Sequence, residues 1–321
     1  MTLEGYVLVK RILLIGNDLH INIIRSLIKH SGCNTVSIDS IKRKNTTNIL
    51  SLYSTYINKI FNIYKYRYDA LHILYPAHKL SFRLAKIALG RNIPVILHWV
   101  GSDVLLAEKR KIFTLEKKIF KKVINIVVAP WLKTELEKYD LHVNAIIPLV
   151  PVDFFKELKE TKWPDDLGLI YYLPKGREEL YRVDILRVLS KRFSNIKFYV
   201  VGTDYIKIRR HNIEVKGIIS RQDMAKMYES SIGLVRMPRH DGLPLMVLEA
   251  LLMQRYVIYN KPIEISCVQY VEDVDDAIKV LSRLVDKYQR GKLKPNKSCR
   301  DEVIKRYNPS RIGSDICEIW E

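Results

Sequence analysis

The residues with the clearest chemical spacing lie in the run IGLVRMPRHDGLPLMVLEALL, residues 232–252. A buried strand, Ile232 to Val235, leads into a polar loop carrying Arg236, Arg239, His240, Asp241 and Gly242. A helix then opens near Pro244, where the missing proline N–H costs nothing because the first amides of a helix have no internal partner. Those amides point into the loop and suit a phosphate or a developing negative charge. Asp241 and Glu249 stand eight residues apart, the first in the loop and the second inside an otherwise apolar helix. A carboxylate there needs partners, since burying it alone costs several kcal/mol.

Further residues fit the same chemistry. In LIYYLPKGREELYRVD, Lys175 and Arg177 follow a strand end and can clamp a diphosphate, with Arg236 at another strand end as a second candidate. Gly16, just after the first strand, leaves room for a phosphate to approach the backbone. In PVILHWVGSD, residues 94–103, His98 ends an apolar strand beside a Gly-Ser-Asp turn. His98 reads either as a satisfied structural residue or as a group facing a sugar. Asp103 either orients an acceptor hydroxyl or caps the helix that follows.

The elements that must hold these residues alternate between short β-branched runs and helix-period segments, the pattern of parallel sheets with crossover helices. Strands are predicted at 11–15, 34–38, 70–74, 94–98, 125–129 and 143–147, with helices near 20–31, 45–66, 78–90, 106–122 and 132–139. Pro148, Pro151 and Pro164 and a charged stretch interrupt the alternation. It restarts with strands 167–173, 196–201, 213–216, 231–236 and 255–259 and helices 177–192, 220–229, 243–253, 272–290 and 300–307. Two Rossmann-like α/β domains in tandem follow, and ligands of such sheets bind at the carboxyl ends of the strands.

The spacing from Asp241 to Glu249 resembles the donor-site motif of the retaining GT-B glycosyltransferases of family 4: a carboxylate, Gly, a nearby Pro, and Glu at the eighth position after the first. The segments PVILHWVGSD, INIVVAPWLKTEL (124–136), IIPLVPVDFF (146–155) and the C-terminal YNPSRIGSDICEIWE are similar to further parts of that family. The sequence departs from it in three places. Asp241 replaces the usual Glu, Leu149 stands where Asn is common, and the customary Gly-Arg and Lys-Gly pairs give way to Lys175 and Arg177.

The resemblance implies two Rossmann-like domains facing across a cleft. Residues 1–155 would bind acceptor, 156–305 would bind the nucleotide-sugar donor, and 306–321 would return to the first domain. It implies a hexosyltransferase that moves a hexose from a nucleotide-diphospho-sugar to a lipid-linked or glycan acceptor, with retention, no metal and no cofactor beyond the donor. His98, Asp103 and Asp241 become catalytic candidates. Gly16, Lys175, Arg177, Arg236, Gly242, Leu243 and Glu249 become donor contacts. A catalytically silent sugar-nucleotide binder and a sugar-nucleotide epimerase share these features.

Composition narrows the rest. The chain has 321 residues, 48% of them apolar, which excludes disordered and fibrous classes. Lys and Arg number 54 against 35 acidic residues, a net charge of +19 that favours polyanions. A basic nucleic-acid binder is the rival from another class, but no binding motif supports it. Residues 107–123 carry seven Lys/Arg and two Glu with Ile112, Phe113, Ile119 and Phe120 interleaved, a basic amphipathic pattern that suits either an anionic membrane surface or a solvated helix with an ordinary core face. The aromatic run 49–68 suits sugar contact or packing equally. Four scattered cysteines, Cys33, Cys267, Cys299 and Cys317, form no CxxC pair, so free thiols in a reducing compartment are expected. With no membrane-spanning run and no signal peptide, the expected location is cytoplasmic, peripheral on the inner face of the membrane.

Overall fold

The computed structural model describes residues 9–42, 60–61, 63–156 and 163–321. Most of the helix expected over 45–66 and of the aromatic run 49–68 lies outside the described residues, while residues 60–61 and 63–65 are helical as expected. The chain forms two compact units, residues 1–152 with 307–321, and residues 153–306.

In the first unit the strands are β1 (Lys10–Gly16), β2 (Val36–Lys42), β3 (Ala70–Leu74), β4 (Val95–Trp99), β5 (Ile124–Val127) and β6 (Ala145–Ile146). All pair in parallel in the order β2-β1-β3-β4-β5-β6. β3 and β4 are buried along their whole length, as strands covered on both faces by helices must be. The helices, numbered in chain order, are α1 (Asp18–Ser31), α2 (Lys79–Leu89), α3 (Ser102–Lys109), α4 (Ile112–Leu115), α5 (Lys117–Phe120) and α6 (Pro130–Glu137). α7 (Val152–Lys156) spans the boundary, and α13 (Pro309–Trp320) closes the chain against α1. Gly313 allows that closure, because a Cβ there would collide with the carbonyl oxygen of Leu27.

The second unit has β7 (Gly168–Tyr172), β8 (Lys197–Val201), β9 (Ile213–Gly217), β10 (Gly233–Arg236), β11 (Tyr256–Tyr259) and β12 (Gln269–Tyr270), again parallel, in the order β12-β11-β10-β7-β8-β9. Its helices are α8 (Val183–Arg192), α9 (Arg221–Glu229), α10 (Leu245–Leu252), α11 (Val274–Gln289) and α12 (Lys297–Arg306). α8 starts later than the predicted 177. Arg182 sits in the left-handed region at φ 61°, and the Tyr171 hydroxyl donates to the carbonyls of Tyr181 and Arg182, which holds 177–182 as a turn.

Three expectations need correction. The continuous helix over 106–122 is broken into α3, α4 and α5, with Lys111 left-handed at φ 54°. The apolar residues proposed for lipid, Ile112, Phe113, Ile119 and Phe120, are all buried. Phe113 and Phe120 pack against Trp99 at 5.6 and 6.2 Å between ring centroids, so this face completes the core and has nothing left to insert. The cysteines are not free. Cys33 pairs with Cys317, joining the end of α1 to α13, and Cys267 pairs with Cys299 of α12. The scattered spacing misled because folding unites cysteines that are remote in sequence. Among the described residues no helix is long and apolar enough to cross a membrane.

Candidate functional site

The strand order of the second unit reverses at β7: the chain runs outward through β8 and β9, then returns to lay β10 on the other side. A crevice opens at the carboxyl ends of strands flanking such a switch point. The loops that leave β7 and β10 there hold Lys175, Arg177, Arg236, Asp241, Gly242 and Leu243.

Arg236, the last residue of β10, and Asp241 form a buried bidentate pair. Nε donates to Oδ2 at 2.7 Å and Nη2 to Oδ1 at 3.1 Å, with only 6% and 8% of the two residues exposed. The guanidinium lies 5.0 Å from the ring centroid of Tyr172 and 5.2 Å from that of Tyr181. Burial disfavours its charge, yet the adjacent Asp241 carboxylate outweighs burial and holds the Arg236 pKa above its usual value. Tyr259, ending β11, donates to the Gly242 carbonyl at 3.0 Å and to Asp241 Oδ2 at 3.4 Å. Two more bonds fix the loop: Arg239 N–H to the Leu180 carbonyl at 2.8 Å, and Asn260 Nδ2 to the Pro238 carbonyl at 2.9 Å.

Arg236 is paired with Asp241, whereas Lys175 and Arg177 are exposed and have no carboxylate partner among the described residues. Gly176 between them has φ 76°, a conformation glycine adopts without strain, and Lys175 N–H bonds the Gly202 carbonyl at 3.0 Å. The main-chain N–H groups of Gly242 and Leu243 find no acceptor among the described residues, although both residues are buried. They precede α10, whose first amides are likewise unpaired by geometry.

Glu249 sits on α10 and is 5% exposed. Burial raises its pKa, opposed by the Tyr228 hydroxyl, which donates to Oε2 at 2.9 Å, and by Arg221. Its Oε1 makes no hydrogen bond among the described residues and lies 3.9 Å from Arg221 Nη2. Arg221 is held by Asp153 at 3.0 Å and stacks on Phe154 at 5.6 Å. Tyr172, Tyr181, Tyr259, Arg221 and Tyr228 carry no motif in the sequence. Their strand-end or helix-end positions were the only signal.

The candidates in the first unit take structural places. His98 is fully buried with both ring nitrogens engaged. Trp320 Nε1–H can only donate, and it bonds His72 Nδ1 at 3.1 Å. His72 therefore carries its proton on Nε2 and donates to His98 Nδ1 at 3.3 Å, and His98 Nε2–H donates to the Ile147 carbonyl at 2.9 Å. Burial lowers the pKa of His98 to about 3 and that of His72 well below its usual value, so both rings are neutral. A catalytic role needs a nitrogen that substrate can reach, and His98 has none.

Asp103 is also fully buried. It accepts from the N–H groups of Val100 at 3.0 Å and Gly101 at 2.7 Å, folding the turn back on itself around Gly101 at φ 142°. Burial raises its pKa to about 6 against those bonds. Asp103 thus braces the turn, as the capping alternative anticipates. At Gly16 a Cβ would meet the Leu74 side chain at 3.1 Å, a tight contact at the end of β1.

No family model matches the chain, and no curated protein matches it. Solved structures do. A sucrose-phosphate synthase from Thermosynechococcus elongatus aligns at a TM-score of 0.71 with 14% identity, covering 97% of this chain and 98% of that one. The pneumococcal O-GlcNAc transferase GtfA, in complex with UDP and GlcNAc, aligns at 0.56 with 11% identity over 82% and 59%. A UDP-N-acetylglucosamine 2-epimerase aligns at 0.54 with 10% identity over 97% and 95%. The fold is GT-B, two Rossmann-like α/β units, in agreement with the sequence motif.

Proposed function

We propose that the chain is a glycosyltransferase that moves a hexose from a nucleoside-diphospho-sugar to a lipid-linked or glycan acceptor, with retention and without a metal ion. The observation that carries the reading is the loop after β10, where a carboxylate locked by Arg236 stands beside unpaired amides and across the switch point from Lys175 and Arg177. Departure of a nucleoside diphosphate leaves charge on the leaving oxygen. Cations and amides already aimed at it stabilise that charge without reorganising. Asp241 is the carboxylate assigned to donor sugar hydroxyls, and Glu249 Oε1 is an acceptor for a ribose hydroxyl. The kinship in fold to a sucrose-phosphate synthase and to a transferase captured with UDP and GlcNAc supports this class.

The likeness to a UDP-N-acetylglucosamine 2-epimerase favours a second reading, sugar-nucleotide epimerisation at the same site without an acceptor. One experiment separates them. Nucleotide sugars are screened by thermal shift, and the best binder is incubated alone and with oligosaccharide or polyprenyl-phosphate-linked acceptors. Release of nucleoside diphosphate with growth of the acceptor supports transfer, whereas an isomerised nucleotide sugar without acceptor supports epimerisation. Turnover abolished by EDTA and restored by magnesium would refute the metal-free assignment.

A further inference from the structure

At the opposite end of the second sheet lies a cavity of about 360 Å³. Its walls are Trp163 to Asp166, just ahead of β7, and Glu229 with Ser230, just ahead of β10, which places it at the amino ends of the strands. Tyr199 of β8 lines it. This residue is 7% exposed, yet its hydroxyl has no hydrogen-bond partner among the described residues. The oxygen is not among the fully buried polar atoms that lack a partner, so this hydroxyl reaches the solvent that fills the cavity. Its position is built in: a Cβ at residue 168 would lie 2.5 Å from Tyr199 Cε2 and 3.2 Å from the hydroxyl oxygen, so glycine at the start of β7 is what admits the ring.

The lining joins aromatic surface to hydrogen-bonding groups of both senses. Trp163 supplies ring area, the carboxylates of Asp166 and Glu229 accept, and the Tyr199 hydroxyl can donate or accept, whereas Lys226 already donates to Asp223 and Ser230 to the carbonyls of Lys226 and Met227. An organic cation is disfavoured, because the protein's own cations already occupy the places it would take. Arg255 stands 5.3 Å over the Trp163 ring, Lys216 stands 5.3 Å over the Tyr199 ring, and Lys197 binds Asp166 at 3.2 Å. What remains is a partly apolar, charge-compensated space rich in acceptors, complementary to a neutral ligand with apolar C–H faces and many hydroxyls. We propose that this cavity is a carbohydrate-binding site for a mono- or disaccharide unit of a glycan, separate from the Asp241 loop. It stands independently of the donor-site reading.

The test is saturation-transfer NMR on the full chain with glucose, N-acetylglucosamine and maltose as probes and spermidine as the cationic control. Titrations are repeated with Tyr199→Phe, Glu229→Gln and, for the other end of the sheet, Asp241→Ala. Saturable binding of at least one sugar is expected, weakened about fivefold by Tyr199→Phe, which removes one hydrogen bond and keeps the ring. Glu229→Gln should weaken it similarly, and Asp241→Ala should leave it unchanged. Absence of saturable sugar binding, equal binding in the Tyr199 and Glu229 variants, loss in the Asp241 variant, or saturation by spermidine alone would each overturn the proposal.

Discussion

Replacing Arg236 by Met strips the cation from a carboxylate that is 8% exposed and holds two hydrogen bonds to it, at 2.7 and 3.1 Å. The Tyr259 hydroxyl, at 3.4 Å, is too distant to replace them. Breaking a buried pair from one side costs about 3–5 kcal/mol, because the remaining charge stays desolvated. At roughly 2–4 °C per kcal/mol for a unit of this size, the melting temperature should fall by roughly 6–12 °C even at the lower cost. The double variant Arg236→Met with Asp241→Leu removes both charges and should recover much of that loss, since apolar replacement of a whole pair is often neutral. Urea unfolding of wild type, both single variants and the double variant gives the coupling directly. A loss below about 1 kcal/mol in Arg236→Met, or a double variant no better than the sum of the singles, would show that Asp241 does not depend on Arg236.

Asp241→Ala and Glu249→Ala should each weaken nucleotide-sugar binding about tenfold, the worth of a charged hydrogen bond, and thermal-shift titration with wild-type affinity in both would remove the donor-site assignment. Lys175→Ala with Arg177→Ala should also weaken nucleotide-sugar binding and reduce its salt dependence, read from the same titration at low and high salt. His72 and His98 are neutral in the fold and charge on unfolding, so the stability each contributes is present above pH 6.5 and is lost as pH falls. Asp103 acts in the opposite sense, its share present below about 4 and lost as pH rises through about 6. The stability gap between wild type and His98→Gln should therefore narrow by about 1.4 kcal/mol per pH unit on acidification below 6.5, and a constant gap would refute the neutral ring. With its apolar face buried, 107–123 can bind anionic lipid through charge alone. Liposome co-sedimentation should be abolished by high salt and by changing Lys117, Lys118, Lys121 and Lys122 to Glu, and salt-resistant binding would contradict the buried face.

The sequence alone determined the two parallel sheets, because strands covered on both faces must be nearly continuous in apolar residues, and β3 and β4 are. It also determined the loop after β10, where Asp241, Gly242, Pro244 and Glu249 are close enough in the chain for spacing to carry meaning. The spacing of Ile112, Phe113, Ile119 and Phe120 marked one apolar face but not what it meets, and only its packing on Trp99 of the preceding strand decided for the core. The roles of His98 and Arg236 depended on partners the chain brings from elsewhere. The ring of His72 relays to Trp320, 248 residues away, while Tyr172 and Tyr181 enclose the guanidinium from another strand and its following turn. The cysteines show the same limit, since Cys33 and Cys317 are 284 residues apart and meet only because α13 packs on α1. Local spacing records what a residue's own element demands. Which side chain satisfies a buried polar group is settled by whichever remote element the packing brings within hydrogen-bond reach.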